Sequence, residues 1–372
     1  MTFDLENQTE AIAATAAAHA VEVDAGKFPK QTIQALADAG MLGLVSAIEV
    51  GGKGLGLPAA AHVVERIARE CGSTAMVVCM HYCAVAVLEA HGPIDVRKAI
   101  AAGKHLTTLA LSEVGSRSQF WVPLSTATPD GQDVRLAARK SFITSARNAD
   151  SYVWSSKPTA GGELSTLWLV PRTIAGLRVA DAGFDGIGLR GNDSSPVTAE
   201  DARIPATARL GDDGAGFGIM MGIVLSWFNV LSTAVSAGLM EAAVQRTAAH
   251  VTASRFEHAG STIADLPTVR AYIARMRIDT DQTKALLGDT LAAIGAKRDD
   301  TMLRVLESKA AAGEAAARVT DLAMRVCGGA AFRKEVGIER MFRDARAALV
   351  MGPTVDVLYD FIGKAVCGLP LF

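Results

Sequence analysis

The sequence pattern changes twice along the chain, and this limits what the chain can fold into. Residues 1–105 and 211–372 are rich in strong helix formers at helical spacing, as in the segments AIAATAAAHA and TIQALADAGM. Residues 106–210 instead hold short β-rich runs (LTTLAL, VRLAA, SFITS, SYVWSS, STLWLV) that turn residues separate. Strands at this spacing without intervening helices indicate an antiparallel sheet. We therefore expect an α+β fold, mainly α, with an N-terminal helical domain (1–105), a central antiparallel β-domain (106–210) and a C-terminal four-helix bundle (211–372).

The clearest predicted helix covers residues 301–326. Apolar or small residues recur there at alternating steps of three and four, as in the seam of a packed helix: Leu303, Leu306, Ala310, Gly313, Ala317, Thr320, Met324 and Cys327. The pair Gly328-Gly329 is expected to end it. A glycine-rich segment at residues 51–56 is predicted to be a turn and not a dinucleotide loop, because the segment before it is a weak strand.

Charge and cysteine content exclude several classes. Lys and Arg number 37 and Asp and Glu 39, for a net charge of −2, which argues against nucleic acid as a partner. The five cysteines lack the spacing of metal ligands, and their odd number indicates reduced thiols, so we expect no metal site. The segment MTFDLENQTE has no signal-peptide features, and the apolar run 75–88 is shorter than the ~20 residues that span a bilayer. We expect a soluble, cytoplasmic protein without a membrane partner.

Three motifs follow one another in a recognisable order. They are LALSEVGSRS at 109–118, KSFITSA at 140–146, and CGGAAF at 327–332 with ERMFRDAR at 339–346. Together they resemble the acyl-CoA dehydrogenase family, whose members show TEPGxGSD, KxWITN and GGxGY…RDxR segments. The resemblance spans nearly the whole chain. It implies the three-domain fold above, FAD bound between the last two domains and across a subunit interface, and a homotetramer or homodimer.

The resemblance also implies which residues of the central domain contact FAD. Ser112 and the Leu111 backbone match the strand-end residues that bond the isoalloxazine ring, and Thr144 matches the hydroxyl near flavin N5. Phe142 replaces the usual Trp that packs on the ring. Ser118 matches the serine near the phosphates and pantetheine.

A second set is implied for the adenosine and diphosphate half of FAD: Arg325, Gly328, Gly329, Thr354, Asp356 and Arg255. The glycine pair would let backbone approach the adenosine of the neighbouring subunit, and Arg325 stands where many members have Gln. Arg255 is the nearest match to an Arg-x-x-Phe-Gly arginine, one position early, which makes this contact less secure. The RDxR segment is expected to form an ion-pair network.

The family reaction removes a proton α to a thioester, and both positions for the catalytic glutamate have lost it. Gly352 occupies the usual base position, and Phe228 occupies the alternative one. Asn229 replaces an arginine that is widespread in the family. A missing general base removes typically about 10²–10⁴-fold of rate.

The residues expected at the acyl pocket are apolar and bulky. Trp227, Phe228 and Met351 would suit a ring or a short hydrophobic substrate. His81 and Tyr82 lie where the family's helical wall borders this pocket, and His81 is the candidate replacement base, against the alternative of a buried structural histidine.

Three functions stay open at this point. The leading one is FAD-dependent α,β-dehydrogenation of an acyl-CoA or carrier-protein thioester with a relocated or missing base. The second is a flavin-dependent monooxygenase or elimination enzyme, which needs no α-proton abstraction. The third is an accessory subunit of a heteromeric dehydrogenase whose related partner chain supplies the base.

Overall fold

Helices occupy both ends of the chain and strands the middle in the computed structural model, which describes residues 3–162 and 164–371. The predicted class and order of elements are confirmed. The N-terminal helices are α1 (Leu5–Asp24), α2 (Lys30–Asp38), α3 (Leu57–Ala68), α4 (Gly72–His91) and α5 (Ile94–Ala101). The C-terminal helices are α6 (Gly216–Ile219), α7 (Leu225–Ala253), α8 (Pro267–Ala296), α9 (Thr301–Cys327), α10 (Ile338–Ala345), α11 (Ala347–Val350) and α12 (Val355–Val366).

Helix α9 matches its predicted range to within one residue at its C-terminus. It ends at Gly328, whose φ of +55° suits a residue without a side chain. The glycine-rich segment 51–56 is a turn, as predicted, and Gly51 at φ +93° follows a single 3₁₀ turn at Ile48–Val50.

The strands form two four-stranded sheets. The strands are β1 (Thr107–Ala110), β2 (Thr126–Asp130), β3 (Asp133–Ile143), β4 (Ser151–Ser156), β5 (Thr166–Pro171), β6 (Leu177–Val179), β7 (Ser195–Pro205) and β8 (Arg209–Leu210). The first sheet has the order β1-β4-β5-β8 and the second β2-β3-β7-β6. The named strand pairs are antiparallel, as predicted for this domain, except β1 with β4, which are parallel. The parallel pair arises because the chain leaves the first sheet after β1, forms β2 and β3 in the second, and re-enters in the same direction.

Two predicted strands are one in the structure, and one long strand was missed. The runs VRLAA and SFITS both lie in β3, which pairs with the eleven-residue β7 and has register shifts on the way. The core of these sheets contains Trp154, Trp168 and Tyr152, all buried.

The fold divides into two compact units. One comprises residues up to Ala60 with Met76–Gly186 and Arg190–Phe228, and the other comprises Ala61–Ala75, Ile187–Leu189 and Asn229–Phe372. The three-domain division at 105 and 210 stays a prediction.

Two helical stretches are long and apolar enough to cross a membrane by length and composition. They are α4 and the continuous helix Gly216–Ala253, and 78% and 67% of their most apolar windows are buried inside the protein. This burial is typical of the core helices of a globular protein.

Candidate active site

Two of the motifs meet at one edge of the β-structure. The chain leaving β1 runs beside β3: the N–H of Ser141 donates to Ser112 O at 3.0 Å, and the N–H of Val114 donates to Arg139 O at 3.0 Å. These bonds bring Leu111 and Ser112 to the C-terminal end of β3, where Phe142 lies, with Thr144 just beyond. Within residues 3–162 and 164–371, the N–H of Ser112 has no hydrogen-bond acceptor. We call this set of five residues, 111, 112, 141, 142 and 144, the strand edge.

A buried ion pair lies directly behind the strand edge. Lys140 is fully buried, and its Nζ donates to Glu113 Oε1 at 2.5 Å and to Ser155 O at 2.7 Å. The other oxygen of Glu113 accepts the N–H groups of Leu124 (2.9 Å) and Ser125 (2.8 Å). Burial lowers the pKa of Lys140 to about 8, and the Glu113 carboxylate opposes that shift. Both residues stand in the quoted motifs, but nothing in the sequence indicated that they pair.

Phe142 offers an open aromatic face at the strand edge. Its side chain is 65% exposed although it is large and apolar, and its φ is +56°. The ring stacks on Phe184, with centroids 4.3 Å apart and planes 22° from parallel. Thr144 is buried beside it, and Ser118 is partly buried. A positive φ costs energy in a bulky residue, so the backbone at Phe142 marks this position as a candidate functional site.

The strand edge fits the isoalloxazine ring of FAD. A flavin ring requires hydrogen-bond donors at its polar rim and an apolar or aromatic wall on a face. The N–H of Ser112, which lacks an acceptor among the residues described, is one such donor, and the Thr144 hydroxyl is another. The exposed ring of Phe142 supplies a wall.

The second unit holds the segment that contains the usual base position. Gly352 lies between α11 and α12, and Nζ of Lys309 on α9 donates to three main-chain oxygens around it: Pro353 O at 2.7 Å, Met351 O at 3.1 Å and Ala348 O at 3.4 Å. Burial lowers the pKa of Lys309 to about 7. Sequence analysis missed this residue because the apolar seam predicted one buried face for α9, whereas the helix is buried more widely. The sequence feature that could have indicated Lys309 is its position as a single lysine at the start of the small-residue run KAAAGEAAA.

The alternative base position supplies no acid either. Phe228 is buried on α7, and Trp227 beside it is partly buried. Asn229 is fully buried, and its Nδ2 donates weakly to Val305 O at 3.4 Å. Its Oδ1 has no partner in the described part of the chain. The grouping of Trp227 and Phe228 with Met351 around a substrate stays a prediction.

The contacts of His81 and Tyr82 agree with the reading of His81 as a buried structural histidine, one of the two alternatives that the sequence left open. Both side chains are fully buried. His81 Nδ1 accepts the N–H of Thr107 at 3.2 Å while Nε2 donates to Leu42 O at 3.0 Å, so its lone pair is already used. Burial lowers the pKa of His81 to about 4. The Tyr82 hydroxyl donates to Met41 O at 2.8 Å, so this side chain belongs to the core and not to a pocket wall.

The residues predicted at the adenosine half of FAD lie on exposed turns and helix ends. Gly328 and Gly329 are exposed, and no atom lies within 4 Å of a Cβ built on either. Arg325 is exposed with its guanidinium 5.0 Å from the Tyr272 ring, and Arg255 is exposed on a hairpin bridged to Thr262.

Two further predicted FAD contacts lie at the start of α12. Thr354 is its N-cap and accepts the N–H of Val357 at 3.4 Å, while Asp356 is exposed in the first turn. Their contacts with FAD, like those of the glycine pair, stay predictions.

The RDxR segment is tied down by polar contacts. Arg343 forms an ion pair with Glu339 at 2.6 Å, one turn back on α10. Asp344 is buried and accepts the N–H of Leu189 at 2.6 Å, and Arg346 donates to Ala317 O at 3.2 Å. The contacts described for this segment are therefore an ion pair with Glu339 and hydrogen bonds to main-chain groups, and a wider ion-pair network stays a prediction.

Two family models match the chain, and together they cover more than half of it. The acyl-CoA dehydrogenase N-terminal domain matches residues 5–103, and the acyl-CoA dehydrogenase C-terminal domain matches residues 214–367. A cyclohex-1-ene-1-carbonyl-CoA dehydrogenase of Syntrophus aciditrophicus is 27% identical over 94% of this chain and 86% of its own length. An L-prolyl-[peptidyl-carrier protein] dehydrogenase of Pseudomonas fluorescens is 29% identical over 88% and 87%.

The fold agrees with these matches. The structure of a glutaryl-coenzyme A dehydrogenase in complex with glutaryl-CoA superposes with a TM-score of 0.91 at 21% identity, over 100% of this chain and 97% of the other. The domain models, the relatives and the fold all lead to one assignment: the chain belongs to the acyl-CoA dehydrogenase family.

Proposed function

We propose that the protein is an FAD-dependent oxidoreductase that dehydrogenates an acyl thioester, carried either by CoA or by a carrier protein. The observation that supports this most directly is the strand edge, where hydrogen bonds between two separate motifs hold the main chain at Ser112 against that of Ser141, one residue before the exposed Phe142. The relatives act on a cyclohexene carbonyl-CoA and on a prolyl carrier protein, and both of these substrates are thioesters.

FAD, when bound, supplies a two-electron acceptor for the hydride that leaves the substrate β-carbon. Ser112 and Thr144 would hold the polar rim of its ring, and Phe142 would cover one face. The Glu113–Lys140 pair fixes the backbone on which these groups stand, since Glu113 lies next to Ser112 and Lys140 two residues before Phe142. Such fixed donors are effective because they need no reorganisation during the reaction.

The α-proton has no acceptor at any of the three expected positions. Gly352 has no side chain, Phe228 is apolar, and His81 donates and accepts hydrogen bonds within the core. The proposed reaction therefore proceeds with a base from elsewhere, or with a substrate whose proton is acidic enough to leave without a positioned carboxylate.

The proposal is tested by anaerobic titration of the FAD-loaded protein with a panel of thioesters that includes butyryl-, glutaryl- and cyclohex-1-ene-1-carbonyl-CoA. The expected result is that at least one thioester bleaches the visible absorbance of the oxidised flavin. The variant Thr144→Val removes one hydroxyl from the strand edge and should slow bleaching. A protein that neither carries FAD nor gains it on incubation would refute the proposal.

We also propose that the protein is a cytoplasmic homotetramer or homodimer. The Arg255 hairpin and the Gly328–Gly329 turn are exposed, as groups that reach a neighbouring subunit must be. Light scattering of the purified holoprotein measures the assembly, and a monomer at micromolar concentration would contradict it.

Oxygen consumption with a separate flavin reductase, in place of bleaching by thioesters, would favour the monooxygenase alternative. Co-purification with a related chain would favour the accessory-subunit alternative.

A further inference from the structure

Lys309 is a buried lysine whose Nζ donates hydrogen bonds to the loop that contains the base position. Only 1% of its surface is exposed, and its Nζ lies 2.7 to 3.4 Å from the main-chain oxygens of Pro353, Met351 and Ala348. These oxygens bracket residue 352 in sequence. We call residues 348–353 the base-position loop.

The carbonyl contacts suit the chemistry of an ammonium group. A protonated lysine has three N–H donors and no acceptor, and the three carbonyl oxygens named above lie within hydrogen-bond distance of this one. Bonds from a charged donor are stronger and shorter than neutral ones. A neutral amine would have two donors and a lone pair, so one of the three oxygens would then face a lone pair. The arrangement is built for the charged form.

The contact with Met351 O acts on the next residue as well. That oxygen belongs to the peptide group whose N–H is on Gly352. A cation bonded to the oxygen polarises the peptide, which makes the N–H a stronger donor. Among the residues that the structure describes, the Gly352 N–H has no acceptor.

We propose that Lys309 is a positioning residue for the reaction: its ammonium fixes the base-position loop, so that this loop still presents the Gly352 N–H to the substrate although the catalytic side chain is gone. This inference rests on the proposed function.

The charged groups on neighbouring elements have their own partners. On α9 itself, Glu307 pairs with Arg304 and Glu314 with Arg318. On the following segment Arg346 donates to Ala317 O, and Asp356 of α12 is exposed. Helix α7 contributes the neutral Asn229. The three oxygens that bond the Lys309 ammonium in the base-position loop all belong to main-chain carbonyls.

The competing role for Lys309 is that of the relocated base. A base needs a neutral amine with its lone pair toward the substrate, whereas carbonyl oxygens surround this Nζ. The two roles differ in what arginine does in its place. Arginine keeps a charged donor but does not accept a proton near neutral pH, so it should rescue positioning and abolish base catalysis.

The test compares wild type, Lys309→Arg, Lys309→Met and the control Lys364→Met, all loaded with FAD. Lys364 is a lysine on α12 that pairs with Asp360 at the surface. Hydrogen exchange is followed by mass spectrometry in peptides that span the base-position loop, and flavin reduction by butyryl-CoA is followed by stopped flow. Lys309→Met should speed hydrogen exchange in the loop about tenfold or more, because it removes charge-assisted hydrogen bonds. It should also lower the limiting rate of flavin reduction more than it raises the half-saturating concentration of butyryl-CoA.

Lys309→Arg should stay within about threefold of wild type in both readouts, and Lys364→Met should match wild type. Unchanged hydrogen exchange of the loop in Lys309→Met overturns the inference. If Lys309→Arg reduces flavin as slowly as Lys309→Met, the inference is also overturned, because Lys309 would then be the base. If no thioester reduces wild type, the proposed function fails while the exchange data still decide whether Lys309 fixes the loop.

A pH series covers the case in which Lys309→Met does not fold. With a pKa of about 7, the ammonium of wild type loses its proton between about pH 6 and pH 8.5, so loop exchange, corrected for its intrinsic pH dependence, should rise over that range. Lys309→Arg should show no such rise. Identical profiles for the two proteins would also overturn the inference.

Discussion

Replacing Glu113 by glutamine tests how the strand edge is held. Both oxygens of the Glu113 carboxylate accept hydrogen bonds: Oε1 from Lys140 Nζ and from the Ser125 hydroxyl (2.6 Å), and Oε2 from the N–H groups of Leu124 and Ser125. A glutamine has one oxygen and one NH₂ group. Its NH₂ must therefore face either the ammonium or two N–H donors, so one side of the network is broken in every orientation.

The expected cost is about 3 to 5 kcal/mol of unfolding free energy, the range for removing one partner of a buried pair. Lys140 keeps Ser155 O and Ser155 Oγ, at 2.7 and 2.9 Å, so we expect the lower end, about 3 kcal/mol. The double variant Glu113→Gln/Lys140→Met should lose less than the sum of the two single variants, because no buried charge remains.

The cost should also shrink as the pH rises. Burial already lowers the pKa of Lys140 to about 8, and loss of the carboxylate lowers it further. The unfolded chain binds more protons than the folded one above the folded pKa, which is lower in the variant. The stability of Glu113→Gln should therefore rise relative to wild type up to about pH 8, and above that pH both proteins should gain alike.

Urea unfolding followed by circular dichroism measures these free energies for the four proteins of the cycle. A cost below about 1 kcal/mol for Glu113→Gln, or strict additivity in the double variant, would refute the reasoning. FAD affinity measured on the same proteins should weaken in Glu113→Gln, since Ser112 stands on the backbone that the pair fixes.

Gly352→Glu restores a carboxylate at the usual base position and should raise the rate of flavin bleaching by thioesters about 10²-fold or more; an unchanged rate would mean that absence of this base is not what limits the reaction. His81→Asn should lower the free energy of unfolding by about 2 kcal/mol, because buried hydrogen bonds are lost, but it should leave the pH profile of thioester oxidation unchanged. If the acid or alkaline limb of that profile disappears, His81 is a base after all. Phe142→Ala should weaken FAD binding about tenfold in a fluorescence titration, whereas Phe142→Trp should preserve it. Equal FAD affinities of wild type and both variants would exclude the stacking role of Phe142.

Periodicity predicted the elements that depend on local pattern. Helix α9 was placed within one residue because its apolar seam and its terminal glycines agree. Strand β7 was missed because its sequence, SPVTAEDARIP, mixes charged and apolar residues and is held by pairing with β3 rather than by its own propensity. The parallel pairing of β1 with β4 depends on the path between sheets, which no local pattern encodes.

The motifs indicated the segments of the candidate site but not its buried charges. Ser112, Phe142 and Thr144 were proposed from their motifs, and the structure brings these segments together, while their contacts with FAD stay predictions. Lys140 and Lys309 were missed because a lysine in an apolar run is normally exposed, and only the fold shows which carbonyl or carboxylate neutralises it. The sequence could not decide between the two roles of His81, because the main-chain partners of its ring nitrogens come from distant segments.

The bonds of Glu113 also fasten the two ends of a surface loop. Its carboxylate stands where residues 114–123 begin and accepts the main-chain N–H groups of Leu124 and Ser125 where they end. The geometry of the closure is thus independent of what lies between, and lengthening a closed loop costs little entropy. The interior of this loop can therefore be exchanged, in evolution or in engineered chimaeras, without rebuilding the strand edge that Glu113 helps to hold.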